Sequence, residues 1–260
     1  MSRKRPVALH TGNLKDILNA YARPRRYVVA LSGGCDSVVL LHAMIPVAKS
    51  LGVTLSAVHI NHGLHQAACD WQQFCEQLCA SYSIPIECFE VDVDRGQGQG
   101  LEAAAREARY KIFENCLGDT DLLLMAHHGD DQVETVLLNL LNGAGIDGLA
   151  GMPESRLIGN SRLIRPLLGY SRDDLCAYAR EHKLDWIDDP SNQELEFDRN
   201  YLRHEIVPRI ASRFPGAEAA IWRSAGHCRE LSEFLTQQSS DLLGQCEDTA
   251  GRLRLEQWAR

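Results

Sequence analysis

Seven residues, Leu31-Ser32-Gly33-Gly34-Cys35-Asp36-Ser37, constrain this chain more than any others. An apolar run over 27–31 leads in, and a helical pattern beginning at Val38 leads out. A strand that turns through two glycines into a helix leaves bare backbone N–H groups beside a positive helix end, which suits a phosphate. Gly33 and Gly34 allow positive φ and close approach, and Ser32 and Ser37 add hydroxyl donors. The spacing G-x-x-x-x-G-K-[ST] is absent and no lysine lies nearby, so this is not a Walker A loop. Asp36 is an anion in an anion site, which makes sense if it holds a cation such as Mg²⁺. The plainer alternative is a glycine turn with Asp36 or Ser37 capping the helix.

The rest of the chain is consistent with a nucleotide domain. At 260 residues there is room for one sizeable α/β domain and a smaller appendage. No stretch approaches the ~20 apolar residues of a membrane span, and the basic start, Met1-Ser2-Arg3-Lys4-Arg5-Pro6, lacks a signal-peptide core. A cytoplasmic protein without membrane partners is expected. Nine cysteines with no C-x-x-C pair read as reduced thiols rather than a disulfide or metal framework. The net charge of −8 is unevenly spread: residues 1–26 carry +6, 27–155 carry −12, 156–213 balance, and 214–260 carry −2. An acidic centre flanked by a basic tail and an arginine-rich segment leaves RNA binding open to those flanks, as it does a merely solvated tail.

In chain order, a short amphipathic helix is expected over 13–22, then strands at 27–31, 54–60, 86–93 and 121–126. Helices at 37–50, 67–82, 101–117 and 131–142 alternate with them. That alternation predicts an α/β fold, a doubly wound parallel sheet with ligands at the carboxyl ends of its strands. A hairpin over 157–168 and a helix over 171–183 follow, and a small, mainly helical C-terminal appendage closes the chain. The expected divisions are a basic segment 1–26, a nucleotide domain 27–215 and a helical segment 216–260. Arg95-Gly96-Gln97-Gly98-Gln99-Gly100 reads as a mobile loop.

Polar clusters stand where strands end. His59 and His62 follow the second strand, on an extended segment where they need not converge on a metal. Arg106 and Arg109 share a helix face and suit a pyrophosphate clamp, or else surface pairing with Glu102. The densest cluster is His127-His128-Gly129-Asp130-Asp131-Gln132-Val133-Glu134. Asp131 and Glu134 sit at i, i+3 at a helix start, where acids also cap. Two histidines and three acids exceed what a cap requires and suit Mg²⁺ or an amine. Asn142–Leu149 is a glycine-rich loop read as a cover for the site. Arg199 and Arg203, at i, i+4, present one face to phosphates or pair with Asp198 and Glu205.

The loop resembles the PP-loop of ATP pyrophosphatases, S-G-G-x-D-S, with all five fixed letters matched. That superfamily, of adenine nucleotide alpha hydrolase-like fold, cleaves ATP between the α and β phosphates and leaves AMP on its substrate. From about residue 24 to about 215 the chain is similar to the tRNA(Ile)-lysidine synthetases. The likeness adds Val58–Leu64, Glu102–Tyr110, the block from His127 to Gly151, Arg165-Pro166-Leu167-Leu168, Asp189-Pro190-Ser191-Asn192 and Arg199–Arg203.

The resemblance implies ATP-dependent adenylation of C2 of the wobble cytidine in the CAU anticodon of tRNA(Ile), then attack by the amine of L-lysine. Ser32, Gly33, Gly34, Cys35, Asp36, Ser37 and His59 would then bind ATP, with Mg²⁺ on Asp36. Asp131 and Glu134 would receive lysine, Arg106 or Arg109 would stabilise charge at the base, and Arg199 and Arg203 would meet the tRNA. A homodimer is a candidate assembly. Because family members commonly continue into tRNA-gripping domains, the ending Leu253-Arg254-Leu255-Glu256-Gln257-Trp258-Ala259-Arg260 suggests a chain cut short. The rivals are a PP-loop tRNA thiolase, disfavoured by the missing C-x-x-C pairs, and a non-catalytic ATP-binding module.

Overall fold

A computed structural model describes residues 9–61, 68–91 and 101–246, with the side chains of Ala68, residues 101–106 and Gln245 left aside. The sequence features at His62–Leu64, 95–100 and 253–260, and the side chain of Arg106, lie outside the described residues. Contacts divide the chain into two compact units. One gathers the described residues of Met1–Asp131 and Pro153–Gln193, the other those of Gln132–Met152 and Glu194–Arg260. This grouping differs from divisions at 26 and 215: residues 194–215 pack with the long C-terminal helix, and the segment after Asp131 joins them.

The first unit is built on a six-stranded sheet. Its strands are β1 (Arg26–Ala30), β2 (Thr54–Asn61), β3 (Ile86–Glu90), β4 (Leu122–Leu124), β5 (Ser155–Ile158) and β6 (Ser161–Ile164), in the order β3-β2-β1-β4-β6-β5. All neighbours are parallel except the β5–β6 hairpin. Side chains alternate between two apolar layers. Tyr27, Val29 and Leu31 enter one, while Val28 joins Val58, Leu123 and Leu163 in the other.

The first layer is covered by α1 (Thr11–Asn19), α2 (Cys35–Leu51), α3 (Ala68–Ser81) and α7 (Arg172–Glu181); Phe113 of α4 (Leu101–Cys116) fills the second. Handedness explains the split. The steps β1 to β2 and β2 to β3 run one way across the sheet, and the step β3 to β4 runs back. Right-handed crossovers therefore set α2 and α3 on one face and α4 on the other.

β4 is shorter than the expected 121–126. The Asp121 N–H donates to the Gly118 carbonyl at 2.9 Å in a turn, and its carboxylate accepts the Gly118 N–H at 2.9 Å and the Arg26 Nε–H at 2.7 Å.

α2 is fixed to α7 by a polar contact. His42 Nδ1 lies 3.0 Å from the Tyr178 hydroxyl, with the His182 ring 4.9 Å away and Tyr82 beyond. Burial, and then His182, lower the pKa of His42. A lowered native pKa means the unfolded chain binds the proton more readily. The contribution of His42 to stability is thus complete above its unfolded pKa of about 6.5 and is lost as pH falls through the native value. Urea midpoints should decline from pH 7.5 to 5.5, and His42→Gln should flatten that decline.

In the second unit, α5 (Gly129–Leu141), which begins in the first, is followed by α6 (Ile146–Leu149). After α8 (Asp198–Tyr201) comes a wide π-type turn over Leu202–Ile206, then α9 (Val207–Arg213) and α10 (Ala217–Cys246). The segment read as a glycine-rich covering loop contains the helical turn α6, held to α10. Ser232 donates to Asp147 at 2.6 Å, and Arg229 donates to the Ala150 and Met152 carbonyls at 2.9 and 3.1 Å. Among the described residues no helix is long and apolar enough to cross a membrane.

Candidate active site

The strand order reverses at β1. The chain leaves it toward β2 and returns on its other side at β4, so the carboxyl ends of β1 and β4 flank the switch point where doubly wound folds bind ligands. The loop Leu31–Ser37 follows β1, and the cluster beginning at His127 follows β4.

Hydrogen bonds fix the loop. Leu31 N–H donates to the Val58 carbonyl at 2.9 Å, holding the loop's start to β2. Gly33 takes φ +90°, and its carbonyl accepts the Ile187 N–H at 2.9 Å. Ser37 Oγ donates to the Gly34 carbonyl at 2.9 Å and accepts the Ser32 N–H at 3.2 Å. Gly34 is the N-cap of α2 and offers no capping side chain, so neither Asp36 nor Ser37 serves as the cap. The 17-residue α2 thus directs its first-turn N–H groups past an uncapped end, an arrangement that attracts anions. Burial first, then Cys176, pushes the Cys35 thiol up to about 12, so this residue offers its backbone rather than a thiolate.

Asp36 and the post-β4 cluster meet on one buried imidazole. His128, 2% exposed, has Nε2 3.5 Å from both Asp36 Oδ2 and Asp131 Oδ2. Its Nδ1 accepts the Asp130 N–H at 3.3 Å, which places the neutral ring's proton on Nε2, between the carboxylates. Burial lowers its pKa, but Asp36, then Asp131 and Asp130, outweigh that and raise it overall. Asp131 is also the helix cap the sequence allowed for, accepting the His128 N–H at 3.0 Å. Asp36 Oδ1 is buried and has no hydrogen-bond partner among the described residues.

His59 reaches the loop through its backbone. It is buried, and its Nδ1–H donates to the Leu31 carbonyl at 2.8 Å. Burial lowers its pKa, keeping the ring neutral. One residue that the sequence did not single out as a site residue stands beside this cluster. Arg165, buried at the end of β6, donates from Nε to His127 Nδ1 at 3.3 Å and from Nη1 to the Pro153 carbonyl at 2.8 Å. The signal available was the motif Arg165-Pro166-Leu167-Leu168, an arginine at a strand end. Arg109 is half-buried on α4.

A second charged cluster lies within the second unit. The Glu134 carboxylate, 2% exposed, accepts Arg199 Nε at 2.7 Å and Arg203 Nε and Nη2 at 2.6 and 2.9 Å. The expected alternative partner Glu205 takes Arg209 instead, at 2.9 Å. The wide turn at 202–206 follows the helix of Arg199 and contains Arg203, and π-type turns often mark functional positions.

A family model described as PP-loop domain matches residues 9–210. The chain belongs to the PP-loop family. Among curated relatives it is 49% identical over 221 residues to a tRNA(Ile)-lysidine synthase from Pseudomonas aeruginosa, covering 85% of this chain and 50% of that protein. It is 46% identical over 217 residues to one from Coxiella burnetii, covering 83% and 48%. This PP-loop chain thus spans about half the length of the curated relatives it matches. Among solved structures, a U34-tRNA thiolase from Methanococcus maripaludis with its [4Fe-4S] cluster superposes with a TM-score of 0.71 at 19% identity. That match covers 85% of this chain and 78% of the thiolase, a likeness of fold.

Proposed function

We propose that the chain carries the adenylating part of a tRNA(Ile)-lysidine synthase acting in the cytoplasm. It activates C2 of the wobble cytidine in the CAU anticodon with ATP, and the amine of lysine then displaces AMP. One observation carries the reading: the acid of the PP-loop and the acid of the post-β4 cluster share the buried imidazole of His128. A loop that holds a nucleotide is thereby tied to a carboxylate suited to an amine. The 49% identity to a lysidine synthase supports the same substrate pair.

The backbone of Ser32, Gly33, Gly34 and Cys35, with the Ser37 hydroxyl, receives the phosphates at the uncapped end of α2. Asp36 fits a hard cation, since its buried Oδ1 lacks a partner. Mg²⁺ held there would neutralise charge on the pyrophosphate. His59 positions the loop, and Arg106 or Arg109 stabilises charge on the activated base. Asp131 receives the lysine ammonium. Glu134 contributes through Arg199 and Arg203, whose two positive charges exceed its one and favour the tRNA backbone.

The thiolase reading fares worse on cysteine chemistry. Burial, the leading cause in each case, pushes Cys75 up to about 12 and Cys79 and Cys88 up to about 11. Among the described residues no three histidine, cysteine or acidic side chains gather as a metal site requires.

The test is pyrophosphate release from ATP with CAU-anticodon tRNA(Ile), with and without lysine. Release that needs this tRNA, with lysine incorporated, is the expected result. Asp36→Ala should cut it by about 100-fold or more, the scale of losing an electrostatic contact to developing charge. Release indifferent to the tRNA, or incorporation of sulfur in place of lysine, would overturn the reading.

A further inference from the structure

The run from Phe197 to Phe214 in the second unit leaves several aromatic and arginine side chains that neither cluster uses. Phe197 and Tyr201, one turn apart, are 41% and 48% exposed, and Phe214, just past α9, is 63% exposed. Three large rings in 18 residues of a charged helical segment are a poor solution for solubility unless something covers them. Between the outer rings stand Arg209 and Arg213, one turn apart and exposed. Arg209 shares its charge with Glu205, whereas Arg213 lies over the Phe214 ring at 6.0 Å. From 199 to 216 there are four arginines and one acid, so the segment is net positive by three, within a chain of net −8.

We propose that this segment binds unpaired bases of an RNA loop, with Tyr201 and Phe214 as stacking platforms and Arg209 and Arg213 on the flanking phosphates. The inference deepens the reading above, on which the RNA is the anticodon loop of the substrate tRNA. The chemistry selects this partner. Every base offers a π-face and every linkage a charge, so alternating rings and guanidiniums suit single-stranded nucleic acid. A protein partner would want a continuous apolar stripe, and here the rings are separated by cations. A rigid duplex offers phosphates but no splayed bases.

The probe is a labelled RNA hairpin bearing the CAU anticodon loop, titrated against the full chain by fluorescence anisotropy at several salt concentrations. Tyr201→Ala and Phe214→Ala should each weaken binding by roughly 5- to 100-fold with the salt slope unchanged, because stacking is not ionic. Arg209→Ala and Arg213→Ala should weaken it more evenly across loop sequences and reduce the salt slope by about one each. Tyr201→Phe and Phe214→Tyr should restore affinity, which a loss of folding would not. If Tyr201→Ala melts early, Tyr201→Leu keeps apolar bulk without the ring face and should still lose affinity.

Hairpin affinity unchanged in all four alanine variants would overturn the proposal, as would a parent chain that does not bind the hairpin. The two readings fail separately. Ring-dependent hairpin binding without lysine incorporation sinks the synthase and keeps this surface, and incorporation with ring-independent binding does the reverse.

Discussion

Gly33→Ala is expected to lower tRNA-dependent pyrophosphate release by about 100-fold or more, the penalty typical of a reacting group displaced by about an ångström. The backbone there has φ +90°, which disfavours any L side chain. The added methyl would also sit 2.8 Å from Ile187 Cδ1 and 3.2 Å from the buried Cys75 Sγ. The Ile187 methyl can swing aside, but Cys75 and the backbone cannot. Ile187 is bonded through its N–H to the Gly33 carbonyl, and Cys75 is packed in the core. Relieving the strain therefore moves the loop, and with it the N–H groups aimed at the phosphates.

A second substitution separates the two causes. Ile187→Ala removes the closer contact and leaves φ untouched. Recovery in the double variant would assign the loss to crowding by Ile187; continued inactivity would assign it to the backbone or to the remaining contact with Cys75. Full activity in Gly33→Ala alone would mean that the loop does not need this conformation.

The loop was legible because its logic is local: a strand, two glycines and a helix within a dozen residues. The alternation of strands and helices was legible for the same reason, but the strand order was not, and handedness sets the helix faces only once that order is known. What the sequence could not give was adjacency across distance. His128 couples Asp36 to Asp131 only once β1 and β4 lie side by side, and 92 positions separate the ring from Asp36. Glu134 meets Arg199 and Arg203 across 65 and 69 positions, when Asp198 and Glu205 were the nearer acids on offer. A buried carboxylate needs full compensation, and these two arginines supply it. The helical turn at Ile146–Leu149 was hidden for another reason. Its glycines argue for a loop, and only side chains of α10, more than 75 positions on, hold it helical.

Glu134→Ala should produce the largest loss of stability in the second unit. It strands two guanidiniums, 28% and 22% exposed, against each other in place of a shared anion. Removing one partner of a buried pair costs about 3–5 kcal/mol, and the partial exposure of both arginines favours the low end. For a unit of this size, a loss of about 3 kcal/mol corresponds to a fall in melting temperature of roughly 12–24 °C. Glu134→Gln keeps the shape without the charge and should fall between. Replacing all three residues with apolar side chains should recover much of the loss, since nothing charged then remains buried.

The same series decides how Glu134 serves the reaction. If it contacts lysine directly, Glu134→Gln raises the KM for lysine and leaves tRNA affinity intact. If it acts through Arg199 and Arg203, as its saturated oxygens argue, Glu134→Gln alters tRNA affinity and its salt slope instead. The lysine KM then answers to Asp131→Asn.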